Sequence, residues 1–559
     1  MDTLVAPHLC LAAATAVLLL LSATADAAVA TPPDFIIVGG GTAGCTLASR
    51  LCTGLMHSNI LILERGAFRN ATDEFLVRSP RQTPVAWSTL SLTTVWASAP
   101  APGLGGRPVT LRTGATLGGS SSINAAQWAE PVGDEAADWG VAGLDAPAAR
   151  RAYARASQTV GAAVPPPDLR YSYGDEWLAA ARRAGLPTVD DVTGAPPQRG
   201  AWLNRLAVSP SGRRVDACAA YVAPVLWAGC AGRLRVRTGV TVSAVRLERG
   251  AAGADGRRPL RATGVDVISS AEGPAGRPHT LRARRAVLLA AGPFGTPQLL
   301  LLSGIGRPAA LRSAGVVPRV DLPVGEGATT RSFTGVGGEY SGVPLARVNN
   351  ETLLTSAVSR RDWEYRRGGV LAQAAFMGLG RLTTGVGAYI STTFSSIGGP
   401  PGTPVFSSSC HVNPESRGRL VLADRSVFTP PTVHTGLFEA AADMVTAVAC
   451  VRHLRRVVRA FAPSFGMAET APGADAALGV DWVRATSDFA GHYVGGAAVG
   501  RVLDATLRVK GVAGLYVIDA SAIPTMPRSA GPMSSVYMLA EHAATEMIRR
   551  YSDGEGGWK

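Results

Sequence analysis

The stretch "DFIIVGGGTAGCTLASRL", residues 34–51, decides the fold. Phe35–Val38 is entirely apolar, the pattern of a strand buried on both faces of a parallel sheet. Gly39, Gly41 and Gly44 follow in G-x-G-x-x-G spacing. The first glycine permits a tight turn, the second lets backbone approach a pyrophosphate, and the third allows close helix–strand packing. Ala43, Leu47, Ala48 and Leu51 then recur at helical spacing. In "NILILERG", residues 59–66, Ile60–Leu63 reads as a second buried strand ending in Glu64. A carboxylate there accepts hydrogen bonds from ribose hydroxyls and disfavours a 2′-phosphate. Strand, turn, helix, strand and acid occur in order, so a dinucleotide site is expected. NAD and FAD both fit this stretch; NADP is disfavoured.

The rest of the chain sets the frame. It has 559 residues, 47% hydrophobic and 17% charged, which describes a globular protein large enough for at least two domains. The net charge is +13, yet the arginines come in ones and twos with no basic tract or interleaved aromatics. A solvated basic surface is expected, with no nucleic-acid partner. At the N-terminus, "HLCLAAATAVLLLLSA" followed by "ATADA" reads as a secretory signal peptide over residues 1–27, although no Lys or Arg precedes it. An uncleaved anchor is the weaker alternative because the apolar run is short of a span, and no membrane span is expected in the mature chain. The sequons at Asn70 and Asn350 suit a secretory route, extracellular (apoplast) or in the ER lumen. Cys45, Cys52, Cys218, Cys230, Cys410 and Cys450 form no CxxC pair, so no metal site is expected; one or two disulfides are compatible with them. Cys45 and Cys52 fall in the first helix, where buried thiols are expected.

Further along, "LGGSSSIN" within 111–131 can bring backbone amides close to a planar ring or phosphates; an ordinary Gly/Ser loop is the alternative. Residues 234–248 alternate enough to read as paired strands with a turn near Gly239. A buried strand over 287–290 precedes a leucine-rich helix expected to begin near Thr296 and Pro297. Residues 308–487 read as mainly an antiparallel substrate domain. "LYVIDASAIP" is another buried strand, finishing in Asp519, and Pro532 opens a helix with Val536, Leu539, Ala543 and Met547 as its core stripe.

These segments, with "ILERG", "AAGPFGTPQLLLLSGIG", "VGEG" and "HYVGGAAVG…VIDASAIP", resemble in order the glucose–methanol–choline (GMC) oxidoreductases. "HYVGG" followed by "VGRVLD" looks most like the plant branch holding hothead-type dehydrogenases and (R)-mandelonitrile lyases. The resemblance implies an α/β chain (α+β overall), with an FAD-binding Rossmann-type domain from discontinuous segments and a substrate domain built on an antiparallel sheet. The implied divisions are 34–130, 201–310 and 488–555 for FAD, 131–200 for a lid, and 311–487 for substrate. It also implies non-covalent FAD: Gly39, Gly41 and Gly44 at the pyrophosphate, Glu64 at the ribose, and Val242 at the adenine. Gly119, Ser120 and Asn124 would lie along the flavin, with Asp519 and Ala520 near the pyrophosphate and ribityl chain.

The family's catalytic His maps onto His492, which would act as base while hydride leaves an alcohol carbon for flavin N5. The family's second position, a His or Asn before Pro, is Gly531 here. The implied function is FAD-dependent oxidation of a small-molecule CH–OH donor, by analogy a long-chain or ω-hydroxy fatty acid of cuticle or pollen-wall lipid. The residues do not specify an electron acceptor. A hydroxynitrile lyase is the alternative, weakened by loss of the second His. A flavoprotein with diminished turnover is the other, kept open by Gly531.

Overall fold

The computed structural model describes residues 31–552 except 132–133, 167–168, 170–173, 184, 190–198, 251–258, 340, 342–355, 367, 374–380, 385–387, 396–404 and 529–530. The expected signal peptide and Asn350 lie outside the described residues.

The architecture is mixed α/β. Five short parallel strands make the nucleotide-side sheet: β1 (Phe35–Val38), β2 (Ile60–Leu63), β3 (Leu234–Arg237), β4 (Ala286–Leu289) and β5 (Leu515–Val517). Their spatial order is β5–β4–β1–β2–β3, so β1 is central, with Phe35 opposite both Ala286 and Ile60. Phe35, Ile36 and Ile37 are wholly buried, as a strand covered on both faces requires. Helix α1 (Thr42–Gly54) leaves β1 through the glycine turn. Gly39 adopts φ +104°, and a Cβ there would strike the Ala290 carbonyl. A Cβ on Gly44 would strike the Gly39 carbonyl, so the helix rests directly on the turn.

Three local expectations change. Residues 234–248 are not a hairpin. β3 pairs in parallel with β2, whereas Val240–Arg249 pairs antiparallel with Leu260–Ser269 in another sheet. Glu64 N–H donates to Arg237 O and Val240 N–H to Glu64 O, so the chain crosses between sheets at Gly239. Helix α2 (Gly292–Leu302) begins four residues earlier than expected and carries Pro297 inside it. Asp519, distant in sequence, accepts from Gly292 N at its first turn (2.8 Å) and so defines that start. Cys52 is no thiol: it is bonded to Cys230, and Cys410 to Cys450. Cys45 remains a buried thiol whose Sγ donates to Gly40 O.

Among the described residues, a ten-stranded sheet forms the second layer. Its long strand Glu326–Glu339 pairs antiparallel with Val405–Val412 on one edge and with Asp488–Val494 on the other. Phe333 thereby lies opposite both His411 and Asp488, and cross-strand neighbours share a face. Along Val405–Val412 the opposite face buries Phe406, Ser408, Cys410 and Val412, and helix α3 (Ala441–Phe465) is bonded to it through Cys450. Helix α4 (Met533–Ser552) follows Pro532, and Val536, Leu539, Ala543 and Met547 are buried on it. Its Glu541, also buried, pairs with Arg50 of α1 and with Arg155, and accepts from Tyr221 Oη (2.8 Å). No helix among the described residues is long and apolar enough to cross a membrane.

Candidate active site

Where the two layers meet, a cavity of about 810 Å3 runs from the glycine turn to His492. Gly39, Gly41, Glu64, Gly119, Ser120, Asn124, Val242, His492, Asp519 and Ala520 all line it; Gly44 lies beneath, in the helix–turn contact.

At the nucleotide end, bare backbone faces bare backbone. A Cβ on Gly119 would come 2.7 Å from Gly41 Cα, so any larger residue would close the gap. Gly41 is the N-cap of α1, with no side-chain cap and no acid in the first turn. The first-turn amides and the positive end of the helix dipole are therefore available to a pyrophosphate. Glu64 is buried, and its two oxygens accept from Gly40 N and Gly66 N (both 2.9 Å). Burial pushes this carboxyl up, and the two amides oppose the shift. Each oxygen keeps a second acceptor position for a ribose hydroxyl. A glycine-lined cleft, an open helix start and a terminal acid suit the adenosine diphosphate half of FAD.

Asp519 stands on the cavity wall with its carboxylate engaged by protein. Its Oδ2 accepts from Gly292 N and Thr296 Oγ1, and its Oδ1 from Ser521 N and Oγ. It joins the starts of two segments, and the backbone around Gly292 and Ala520 is what it offers to a ligand.

The loop carrying Gly119, Ser120 and Asn124 is held from below by residues the sequence reading passed over. Ser121 Oγ donates to Gly118 O (2.7 Å) and accepts from Ala217 N (3.0 Å). Arg214 is 1% exposed; it donates to Val77 O (3.0 Å) and Asn124 Oδ1 (3.1 Å), as well as to Thr83 Oγ1. Burial lowers its pKa to about 10, which leaves it charged at neutral pH. Beside it, Asp216 is wholly buried and paired with Arg69 (3.1 Å) and Arg78 (3.5 Å). Burial pushes this carboxyl up, but the two guanidinium groups and the Ala219 amide outweigh that and hold it near 2. No short motif marks Arg214 or Asp216, because their distant partners come from residues 69–83 and from Asn124.

At the far end, His492 projects from Asp488–Val494 into the cavity, beside Gly531. A Cβ on Gly531 would lie 2.7 Å from His492 Nε2. The imidazole therefore occupies the space from which a residue-531 side chain would reach. Around it stand Trp87 and Phe489, with ring centroids 6.5 Å apart and planes 27° apart, and Phe333. Phe489 also stacks on Tyr493. His411 lines the cavity as well, its ring centroid 6.4 Å from that of His492. The only local signal for it is the alternation of "VFSSSCHV", which puts Ser407, Ser409 and His411 on one face.

Two sequence profiles, both describing GMC oxidoreductases, match residues 33–330 and 414–540. The chain is 28% identical to the chloroplastic fatty acid photodecarboxylase of Chlamydomonas reinhardtii, over 91% of this chain and 90% of that protein. It is also 28% identical to an oxygen-dependent choline dehydrogenase of Staphylococcus aureus, over 92% and 93% of the two chains. In fold it is similar to formate oxidase of Aspergillus oryzae, with a TM-score of 0.76 at 20% identity, covering 94% of this chain and all of that one (100%). With matching profiles across most of its length and a cleft that suits its cofactor, FAD, this chain belongs to the GMC oxidoreductase family.

Proposed function

We propose that the protein oxidises a CH–OH donor, with His492 as the base that takes the hydroxyl proton. One observation carries this reading: the nucleotide cleft and His492 line the same cavity. FAD, when bound, supplies a hydride acceptor at N5. The alcohol carbon gives up hydrogen with its electron pair, the hydroxyl proton passes to the imidazole, and a carbonyl compound leaves. A neutral imidazole is suited to that proton transfer near neutral pH. The apolar rings of Trp87, Phe333 and Phe489 favour an alcohol with an apolar body. Long-chain or ω-hydroxylated fatty acids are the proposed class. The likeness to a fatty acid photodecarboxylase and the hothead-like motifs "HYVGG" and "VGRVLD" support it.

The test is the flavin spectrum under anaerobic addition of alcohols. ω-Hydroxy fatty acids should bleach the wild-type flavin, and His492→Ala should slow bleaching by about 100-fold or more. Bleaching of His492→Ala at the wild-type rate would remove His492 from the mechanism. A flavin that no alcohol reduces, with cyanide released from mandelonitrile, would replace oxidation by the lyase reading. Gly531 counts against that outcome because it offers no acid or base. Acid precipitation should release the flavin into the supernatant, as a non-covalent cofactor requires.

The proposed route is secretory, with cleavage near residue 27 and delivery to the ER lumen or the extracellular apoplast. Two disulfides and the exposed sequon at Asn70 support it. Removal of N-glycans should increase the gel mobility of the expressed protein, and Asn70→Gln should reduce that shift.

A further inference from the structure

Gln298, on helix α2, forms part of the cavity wall and is only 2% exposed. A polar atom so placed is costly unless something pairs with it. Its Nε2 donates to Val427 O (3.3 Å) and Thr429 O (3.1 Å). Carbonyl oxygens can be met only by the N–H groups of the amide, so the two contacts fix which way the side chain is turned. Both amide hydrogens are then used, and Oε1 accepts from no group among the described residues. The wall therefore presents a hydrogen-bond acceptor to whatever fills the cavity.

Helix α2 sets where along the cavity that acceptor lies. Its first turn is held by Asp519 through Gly292 N (2.8 Å). Just past its other end, Ser303 Oγ accepts from Val245 N (2.8 Å), on the strand that also carries Val242. Gln298 is six residues beyond Gly292, about 9 Å along the axis toward that strand. Val242, Glu64 and Leu299 line the cavity with it, which is the adenosine end of the cleft. Adenosine has two kinds of donor, the ribose hydroxyls and the amino group of adenine. Glu64 answers the hydroxyls. The other hydroxyl side chains on this part of the wall are engaged: Thr241 Oγ1 with Ser270 Oγ (2.8 Å), Thr94 Oγ1 with Arg65 (2.6 Å), and Thr113 Oγ1 with Trp96 Nε1 (2.9 Å).

We propose that Gln298 Oε1 accepts a hydrogen bond from the adenine amino group of FAD, so that this residue reads the base of the cofactor while Glu64 holds its ribose. Val427 O and Thr429 O keep the amide from turning over, so the wall offers an acceptor and no donor. A base with a carbonyl oxygen in place of the amino group would set acceptor against acceptor, and a site built this way rejects it. The role belongs to cofactor selection and is independent of the alcohol oxidation proposed above.

The experiment titrates full-length apoprotein with FAD and with its hypoxanthine analogue, in which oxygen replaces the adenine amino group, and follows flavin fluorescence. Wild type should bind FAD about 10-fold or more tightly than the analogue. Gln298→Met, similar in length but without the amide oxygen, should bring the two affinities within about 3-fold of each other. Gln298→Leu is the second variant, and the ratio is read in whichever retains the wild-type circular dichroism spectrum. Equal affinities in wild type would overturn the inference. So would a variant that weakens FAD and the analogue by the same factor, because a side chain that only holds the 427–429 segment predicts an unchanged ratio.

Discussion

Gly531 is the residue on which the chemistry of this site turns. Read in sequence, it is a lost side chain before Pro532; in three dimensions it is the clearance that lets the His492 ring stand where it does. Gly531→Ala should therefore lower flavin reduction by moving the imidazole, with FAD retention unchanged. A displacement on the order of 1 Å can cost about 100-fold. Rapid-reaction absorbance measures the rate, and the protein-bound flavin spectrum measures retention. Wild-type reduction in Gly531→Ala would mean that the ring tolerates the intrusion and that its position is not critical. Gly39, Gly41 and Glu64, which line the cavity with His492, were legible from a few neighbouring positions, and His492 through the family resemblance. His411 and Arg214 were not, because a side chain meeting partners from other segments leaves no spacing to read.

At the scale of elements, the cap on α2 illustrates where local reading stops. Thr296 and Pro297 look like a helix start, and Pro293 in the first turn is equally compatible with one. The choice is made by Asp519, which accepts from Gly292 N and Thr296 Oγ1. Asp519→Ala should destabilise the protein by about 1–2 kcal/mol, from the lost cap, and weaken FAD retention by loosening the Gly292 backbone on the cavity wall. Thermal unfolding of the apoprotein reads the first effect and fluorescence titration with FAD the second. Unchanged values for both would assign the cap to other groups. The misread hairpin at 234–248 has the same physical origin. Alternation and a glycine specify two strands and a turn, but only the edges left open by Ile60–Leu63 and Leu260–Ser269 decide the partners.

Across the whole molecule, the buried Arg69–Asp216–Arg78 cluster, packed against Gly118, couples the Gly118–Asn124 loop to pH. Asp216 is held near 2, below its ordinary value of 3.8, so the folded state resists protonating it. Its stabilisation is fully present above about pH 4 and is lost as pH falls through about 2, an effect on the order of 2 kcal/mol. Asp216→Asn should flatten this part of the acid-unfolding curve measured by circular dichroism between pH 4 and 2; an unchanged slope would mean that other carboxylates govern acid unfolding. The buried parallel strands were readable from hydrophobic runs, since burial on both faces leaves a pattern in each strand, and the mixed α/β class from the family resemblance. Their assembly was not, because β1 pairs with strands from residues 60–63 and 286–289, and the sheet closes only with 515–517. That order has a consequence for biosynthesis. The cofactor cleft is walled by Gly41 near one end of the chain and by Ala520 and Met533 near the other. Residues from 41 to 533 must therefore all be synthesised before the complete cleft can form, and FAD loading is expected to lag behind synthesis of residue 533.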